Sequence, residues 1–169
     1  GVAPLMVTLH DRFGIWPLLV LTVLAAAVDA WSFAAGDPGL RYWNLLTVWP
    51  LCHQLGIAYH RGWFRGWRTR TLLGLLAGCA AVIAVLVFGL GYPPASVAWA
   101  DVLVANLLPP TSAILVLGLA QTVVLALLEK AGVGKGLRAG TQQFVRVANA
   151  LLLTIYLWQI PAILVGAGA

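Results

Sequence analysis

Charge is scarce in this sequence: Asp, Glu, Lys and Arg make up 9% of its 169 residues, whereas they make up about 25% of a typical soluble domain. So few charges exclude an intrinsically disordered chain and a nucleic-acid binder built on basic patches. The only two cysteines, Cys52 and Cys79, lie inside apolar tracts, which excludes a secreted disulfide scaffold. Apolar residues, by contrast, make up 62% of the chain. The composition indicates a polytopic helical membrane protein that is in contact with membrane lipids.

Five apolar stretches are long enough to cross about 30 Å of hydrocarbon. They predict an all-α bundle with transmembrane helices at residues 14–35, 42–59, 71–91, 110–128 and 144–165. The segment 91–109 is too broken by Pro93, Pro94 and Asp101 to span, yet too apolar for a free loop, so it is predicted to be a short interfacial or re-entrant segment. No repeat or long linker divides the chain, which predicts a single membrane domain over residues 1–169.

The basic residues are concentrated in two of the connections between these spans. One connection holds Arg61, Arg65, Arg68 and Arg70, and the other holds Lys130, Lys135 and Arg138. Connections rich in Lys and Arg remain on the cytoplasmic side of a membrane. Residues 61–70 and 129–143 are therefore predicted to be cytoplasmic, which places the N-terminus inside and the C-terminus outside.

Ionisable residues within the spans are candidate functional residues, because a charge in lipid is costly and must face protein or water. Two roles are open for Asp29: a hydrogen-bonded carboxyl that ties two helices together, or a group in a binding site. His53 and His60 are seven residues apart and share a helical face. His53 is either a general base or a hydrogen-bonded packing residue. His60, next to Arg61, is predicted to be solvated at the membrane interface.

Neither a metal nor a haem site is expected from these residues. The two histidines lie about 10 Å apart along the helix axis at about 1.5 Å per residue, which is too far for one metal or haem. No cluster of Cys and His has the spacing of a zinc site.

The fifth predicted span carries a polar stripe along one helical face, formed by Gln142, Arg146, Asn149 and Tyr156. Further amides come from other elements: Gln121 from the fourth span and Asn106 from the segment before it. Collected from three elements, these side chains predict a polar cavity in the outer half of the bundle. The tryptophans mostly occupy interface positions, and only Trp158 is a candidate for a direct role.

The run from Asn44 to Gly56, NLLTVWPLCHQLG, resembles the N…VW…HQLG signature of actinobacterial-type membrane acyltransferases of the acyltransferase-3 family. Other elements of that family have counterparts here in the same order. Asp29 lies in the position of the family's VD element, and Tyr92-Pro93 matches its YP element. Asn106 with Pro109-Pro110 resembles its SN…PP element, with Ala105 in place of the serine. Gln121, Asn149 and the run TIYLW at 154–158 match later elements. The resemblance covers residues 28–162.

This resemblance implies a membrane-embedded enzyme of the bacterial cytoplasmic membrane that moves an acyl group from cytoplasmic acyl-CoA to a glycan or lipid of the cell envelope. The catalytic residues are then expected to be His53 and Tyr156. The substrate-binding residues are expected to be Asp29, Gln54, Asn106, Gln121, Asn149 and Trp158. The phosphates of CoA are expected to lie near Arg61, Arg65, Arg68 and Arg70, whose alternative role is to set topology.

Two departures from the family pattern bear on activity. The family's catalytic histidine follows a basic residue after ten intervening positions, whereas Arg41 and His53 have eleven residues between them. Gln159 stands where the family has histidine. Because the sequence also begins at Gly1, the chain is expected to be the C-terminal half of an enzyme whose missing N-terminal helices, or a partner membrane subunit, supply the catalytic helix. The alternative is a non-catalytic membrane subunit or a lipid- or solute-binding module.

Overall fold

The computed structural model describes residues 2–94, 106, 109–136, 138, 140–148 and 151. Every regular element that spans these residues is helical, which confirms the all-α class. The elements are α1 (Val2–Phe13), α2 (Trp16–Ala35), a 3₁₀ helix (Pro38–Leu46), α3 (Val48–His60), α4 (Thr69–Ala84) with a π-helical extension (Val85–Gly89), and α5 (Ser112–Lys130). Residues 1–131 form one compact unit and residues 132–169 a second one, in which residues 140–148 are helical.

Three helices are long and apolar enough to cross a membrane: Trp16–Ala35, Thr69–Gly89 and Ser112–Lys130. They lie close to the predicted spans 14–35, 71–91 and 110–128. Their large apolar side chains point outward, as in Phe88 at 88% exposure and Val23 at 67%. Polar side chains such as Asn44 and Gln54 are instead fully buried. A protein surrounded by lipid exposes apolar side chains and buries its polar groups, because lipid cannot hydrogen-bond to them. The chain is therefore a membrane protein.

The second predicted span, 42–59, is not one helix. Its first residues belong to the 3₁₀ helix, and α3 begins only at Val48 and has 13 residues. At about 1.5 Å per residue α3 is about 20 Å long, short of the bilayer core. At the break between the 3₁₀ helix and α3, the Thr47 hydroxyl donates to the Asn44 side-chain oxygen at 2.9 Å. Such local hydrogen bonds between side chains favour a backbone conformation other than a continuous α-helix. The count of five spans is therefore not confirmed, and most of the fifth, 144–165, lies outside the described residues.

Helix α1 was not predicted from the sequence. It ends at a turn in which Gly14 adopts a φ of +58° and donates its backbone N–H to the His10 carbonyl at 2.8 Å. The chain then enters α2 with Pro17 in the first turn, where a missing N–H costs nothing. Helix α1 packs against both α2 and α3.

The interior of the first unit contains two apolar clusters. One joins α2, α3 and α5 through Ala25, Val48, Leu51, Ile114 and Leu115. The other joins α4 and α5 to the turn after α3 through Phe64, Leu72, Val123 and Ala126. Helices α3 and α5 also approach each other at Gly118, where an added Cβ would lie 3.4 Å from the Cys52 sulfur.

Replacing Gly118 by valine is expected to lower the free energy of unfolding by about 1–3 kcal/mol, because a branched side chain overfills the contact between α3 and α5. The measurement is unfolding of the detergent-solubilised chain in sodium dodecyl sulfate. Gly78→Val is the matched control, since an added Cβ there meets nothing within 4 Å. Equal losses in the two variants would contradict close packing at Gly118.

Candidate functional site

Asp29 lies at the centre of a buried polar cluster. Its side chain is 2% exposed and accepts three hydrogen bonds. One carboxylate oxygen accepts from the Asn44 amide at 2.7 Å, and the other accepts from the Tyr92 hydroxyl and from the Ser112 backbone N–H, both at 2.8 Å. Ser112 is the first residue of α5, whose free N–H groups and dipole favour a negative charge. Asp29 therefore ties α2 to the 3₁₀ helix, to the segment after α4 and to α5.

Tyr92 is a fixed donor in this cluster. Burial raises the pKa of its phenol, and the hydrogen bond to the Asp29 carboxylate raises it further. The phenol thus keeps its proton at neutral pH and points it at Asp29. Its ring also contacts the Phe33 ring at a centroid distance of 5.1 Å, which fixes the position of the donor.

Asn106 continues the cluster on the side of α5. The Thr111 hydroxyl donates to its side-chain oxygen at 2.8 Å, the Thr111 backbone N–H donates to its carbonyl at 3.0 Å, and its amide donates to the Pro93 carbonyl. Asn106 is 5% exposed. The residues that carry the family resemblance at Asp29, Asn44, Tyr92-Pro93 and Asn106 are therefore brought together. Sequence analysis did not pair Asn44 and Tyr92 with Asp29.

Gln54 holds α1 against α3. Its amide N–H donates to the Met6 carbonyl at 2.8 Å, so its oxygen is the acceptor for the His10 ring Nδ1–H, also at 2.8 Å. Gln54 is fully buried, and His10 is 3% exposed with its ring 4.7 Å from that of Trp63. No pattern in the sequence indicates this role of His10, because residues 1–13 contain no stretch long enough to predict a membrane span. The amide of Gln54 is thus already engaged within the protein.

His53 lies in a different environment, an open groove of about 520 Å³ between α1 and α3. The groove is lined by Val7, His53, Gly56, Ile57, His60 and Arg61. The helical face predicted for His53 and His60 is thus present, and both histidines are exposed. Within the described residues no hydrogen bond orients the His53 ring. The groove combines an accessible imidazole, which can accept a proton, with an apolar floor and a nearby guanidinium.

The basic residues after α3 are partly paired. Arg61 forms an ion pair with Asp11 of α1 at 2.6 Å, and Arg65 lies 3.4 Å from the Glu129 carboxylate, which also accepts from the Tyr59 hydroxyl. Arg68 and Arg70 are exposed at the start of α4 and have no ion-pair partner within the part of the chain that the structure describes. Of the four arginines after α3, these two are therefore the better placed to meet an anion from outside the protein.

Of the remaining predicted site residues, Gln121 is described by the structure and does not line the His53 groove. Gln121 is exposed and lines a separate groove of about 400 Å³ between α3 and α5, together with Trp49 and Cys52. Asn149, Tyr156 and Trp158 lie outside the described residues. No group of three potential metal ligands occurs among the residues that the structure describes. Comparison with protein-family models, curated proteins and solved structures finds no match for this chain.

Proposed function

We propose that the chain is part of a membrane-embedded acyltransferase that moves an acyl group from cytoplasmic acyl-CoA to a hydroxyl of a cell-envelope glycan or lipid. The observation that carries the proposal is the open groove in which the accessible His53 imidazole lies with Arg61. The motif resemblance around Asn44–Gly56 supports it. The joining of the other motif residues in one cluster around Asp29 supports it further.

In the proposed reaction His53 acts as the general base. The acceptor hydroxyl gives its proton to the imidazole while its oxygen bonds to the thioester carbonyl carbon. The tetrahedral intermediate then collapses, the carbon–sulfur bond breaks, and the leaving CoA thiolate takes the proton from the imidazolium. The sequence resemblance makes Asn149 and Tyr156 the candidate hydrogen-bond donors to the oxyanion of that intermediate. Arg61, Arg65, Arg68 and Arg70 attract the phosphates of CoA.

In the proposed topology, donor and acceptor approach the His53 groove from opposite ends of α3. Five spans with the N-terminus inside put the arginine-rich turn after α3 in the cytoplasm, where acyl-CoA is available. The Asp29 cluster, at the start of α3, then faces the outer side. The exposed Gln121 would bind the acceptor, while Asp29 and Asn106 hold the surrounding elements together and Gln54 keeps α1 in place beside the groove.

Replacing His53 by glutamine is expected to reduce acyl transfer about 100-fold, because a positioned general base contributes about 10²–10⁴ to the rate. The measurement is transfer of radiolabelled acetyl from acetyl-CoA to the lipid and glycan fractions of membranes that contain the chain together with the N-terminal helices or partner subunit expected to complete the enzyme. Tyr156→Phe is expected to reduce it as well. Thermal unfolding of each variant shows that the fold is kept, and transfer that is unchanged in both variants would refute the proposal.

A second candidate is a non-catalytic membrane subunit or a lipid- or solute-binding module. It is favoured by the His53 ring, which no described side chain or carbonyl orients, whereas a general base is normally held in one orientation by a hydrogen-bond partner. This candidate predicts that, with the N-terminal helices or partner subunit also present, membranes that contain the chain transfer no more label than membranes that lack it. Label incorporation that depends on the chain would exclude it.

A further inference from the structure

Arg41 is a buried cation with no ion-pair partner among the residues that the structure describes. It is 8% exposed, its Nε atom is buried with no hydrogen-bond partner, and it forms no ion pair with Asp29 or Asp37. The Asp29 carboxylate is engaged by its three donors, and the Asp37 side chain accepts from the Gly39 backbone N–H at 2.8 Å. A buried charge is costly unless it is paired. Within the described residues, nothing of opposite sign pairs with Arg41.

Two aromatic rings hold the guanidinium in place. Its central carbon lies 4.6 Å from the centroid of the Phe33 ring and 5.9 Å from that of the Tyr92 ring. Ring faces attract a cation, but they offset only a part of the cost of its burial. The position of Arg41 is thus fixed while its buried Nε–H has no acceptor, as expected of a side chain that binds an anion from outside the protein.

The surroundings of Arg41 indicate the depth at which that anion lies. Arg41 belongs to the 3₁₀ helix between α2 and α3, and the next two residues, Tyr42 and Trp43, are 53% and 58% exposed. Exposed Tyr and Trp side chains collect where lipid headgroups meet hydrocarbon. The anions found at that depth are lipid phosphates. The planar fork of a guanidinium matches phosphate oxygens with two parallel hydrogen bonds.

We propose that Arg41, held by Phe33 and Tyr92, anchors a binding site for the phosphate of a phospholipid headgroup. This proposal does not require that the protein transfers acyl groups, and it holds whichever side of the membrane Arg41 faces. The bound phosphate supplies the counter-ion that the described part of the chain does not provide, and the exposed Tyr42 and Trp43 lie beside the headgroup.

The test uses the full chain, delipidated in dodecyl maltoside and titrated with dioleoylphosphatidylglycerol. Bound lipid is measured by native mass spectrometry. The wild type is expected to bind this lipid at least about tenfold more tightly than Arg41→Gln, as loss of a charge-assisted hydrogen bond implies. Dioleoylglycerol, which lacks the phosphate, is expected not to bind at the site. Binding of orthophosphate with no binding of the phospholipid would overturn the lipid proposal.

Arg12 provides the matched control, because it is an exposed arginine whose guanidinium also lies over a ring, 5.5 Å from the centroid of Phe13. Arg12→Gln is expected to keep the lipid affinity, and an equal loss in both variants would show attraction by net charge only. Arg41→Gln is expected to melt, free of lipid, at or above the wild-type temperature, because no ion pair is lost. The opposite result has three parts: Arg41→Gln destabilises the protein, Asp101→Asn does so equally, and the double variant loses no more than either single variant. That result would identify Asp101 as the counter-ion and overturn the proposal.

Discussion

Replacing Asp29 by leucine is expected to lower the free energy of unfolding by about 3–5 kcal/mol, the range for removing one partner of a buried charged interaction. Leucine has the same branched shape and the same number of side-chain heavy atoms, so the main loss comes from the three donors it leaves unpaired: the Asn44 amide, the Tyr92 hydroxyl and the Ser112 N–H. Unfolding in sodium dodecyl sulfate measures it. A loss below about 1 kcal/mol, the net value of one ordinary hydrogen bond, would contradict the tie.

An exchange of the amide and the carboxylate separates the geometry of this tie from general damage. Asp29→Asn can still accept from Tyr92 and Ser112, but its amide nitrogen then meets the donor nitrogen of Asn44. Asn44→Asp in the same chain turns that partner into an acceptor, and its second oxygen can still accept from the Thr47 hydroxyl. The double variant is therefore expected to be more stable than Asp29→Asn alone. Strictly additive losses would show that the two side chains are not coupled.

Tyr92 reports on the same cluster independently of unfolding. The Asp29 carboxylate raises the pKa of Tyr92 through both its charge and its hydrogen bond, in addition to the effect of burial. Asp29→Asn removes the charge, so the pKa of Tyr92 is expected to fall towards its ordinary value. Ultraviolet absorbance of the phenolate, recorded as the pH is raised, measures the change. The same titration curve in wild type and variant would place Tyr92 away from Asp29.

Hydropathy predicted the three long helices because their apolar faces meet lipid along their whole length. It did not predict the break at Thr47, because averaging over a window cannot register a hydroxyl that hydrogen-bonds the Asn44 side chain. It also left α1 unassigned, since a 12-residue helix gains its stability from packing on α3 and not from its length.

The candidate site shows the same division between local and long-range information. The shared face of His53 and His60 was predictable, because helical spacing is a local property. The pairing of Gln54 with His10 joins residues 44 positions apart, and that of Asp29 with Tyr92 joins residues 63 apart. A single sequence does not encode such pairs in any spacing rule. Two roles were open for Asp29, and its three hydrogen bonds support the one in which the carboxylate ties helices together.

Replacing Gln54 by leucine is expected to lower the free energy of unfolding by about 2–4 kcal/mol, because a buried donor left without its acceptor costs about 1–3 kcal/mol and a hydrogen bond to Met6 is lost as well. The cost falls on the contact between α1 and α3, so tryptic cleavage after Arg12 is also expected to become faster. Gln121→Leu is the matched control. Gln121 is exposed, so its change is expected to stay within about 0.5 kcal/mol.

A double variant then distinguishes an unpaired donor from lost packing. His10→Phe keeps a ring beside Trp63 and removes both ring nitrogens, including Nε2, which is buried and has no partner. When both members of a buried polar pair become apolar, neither is left unsatisfied, and the net change can be nearly neutral. The variant carrying both His10→Phe and Gln54→Leu is therefore expected to be more stable than Gln54→Leu alone. If its losses simply add, Gln54 acts by filling space, and the hydrogen bond to His10 does not hold α1 in place.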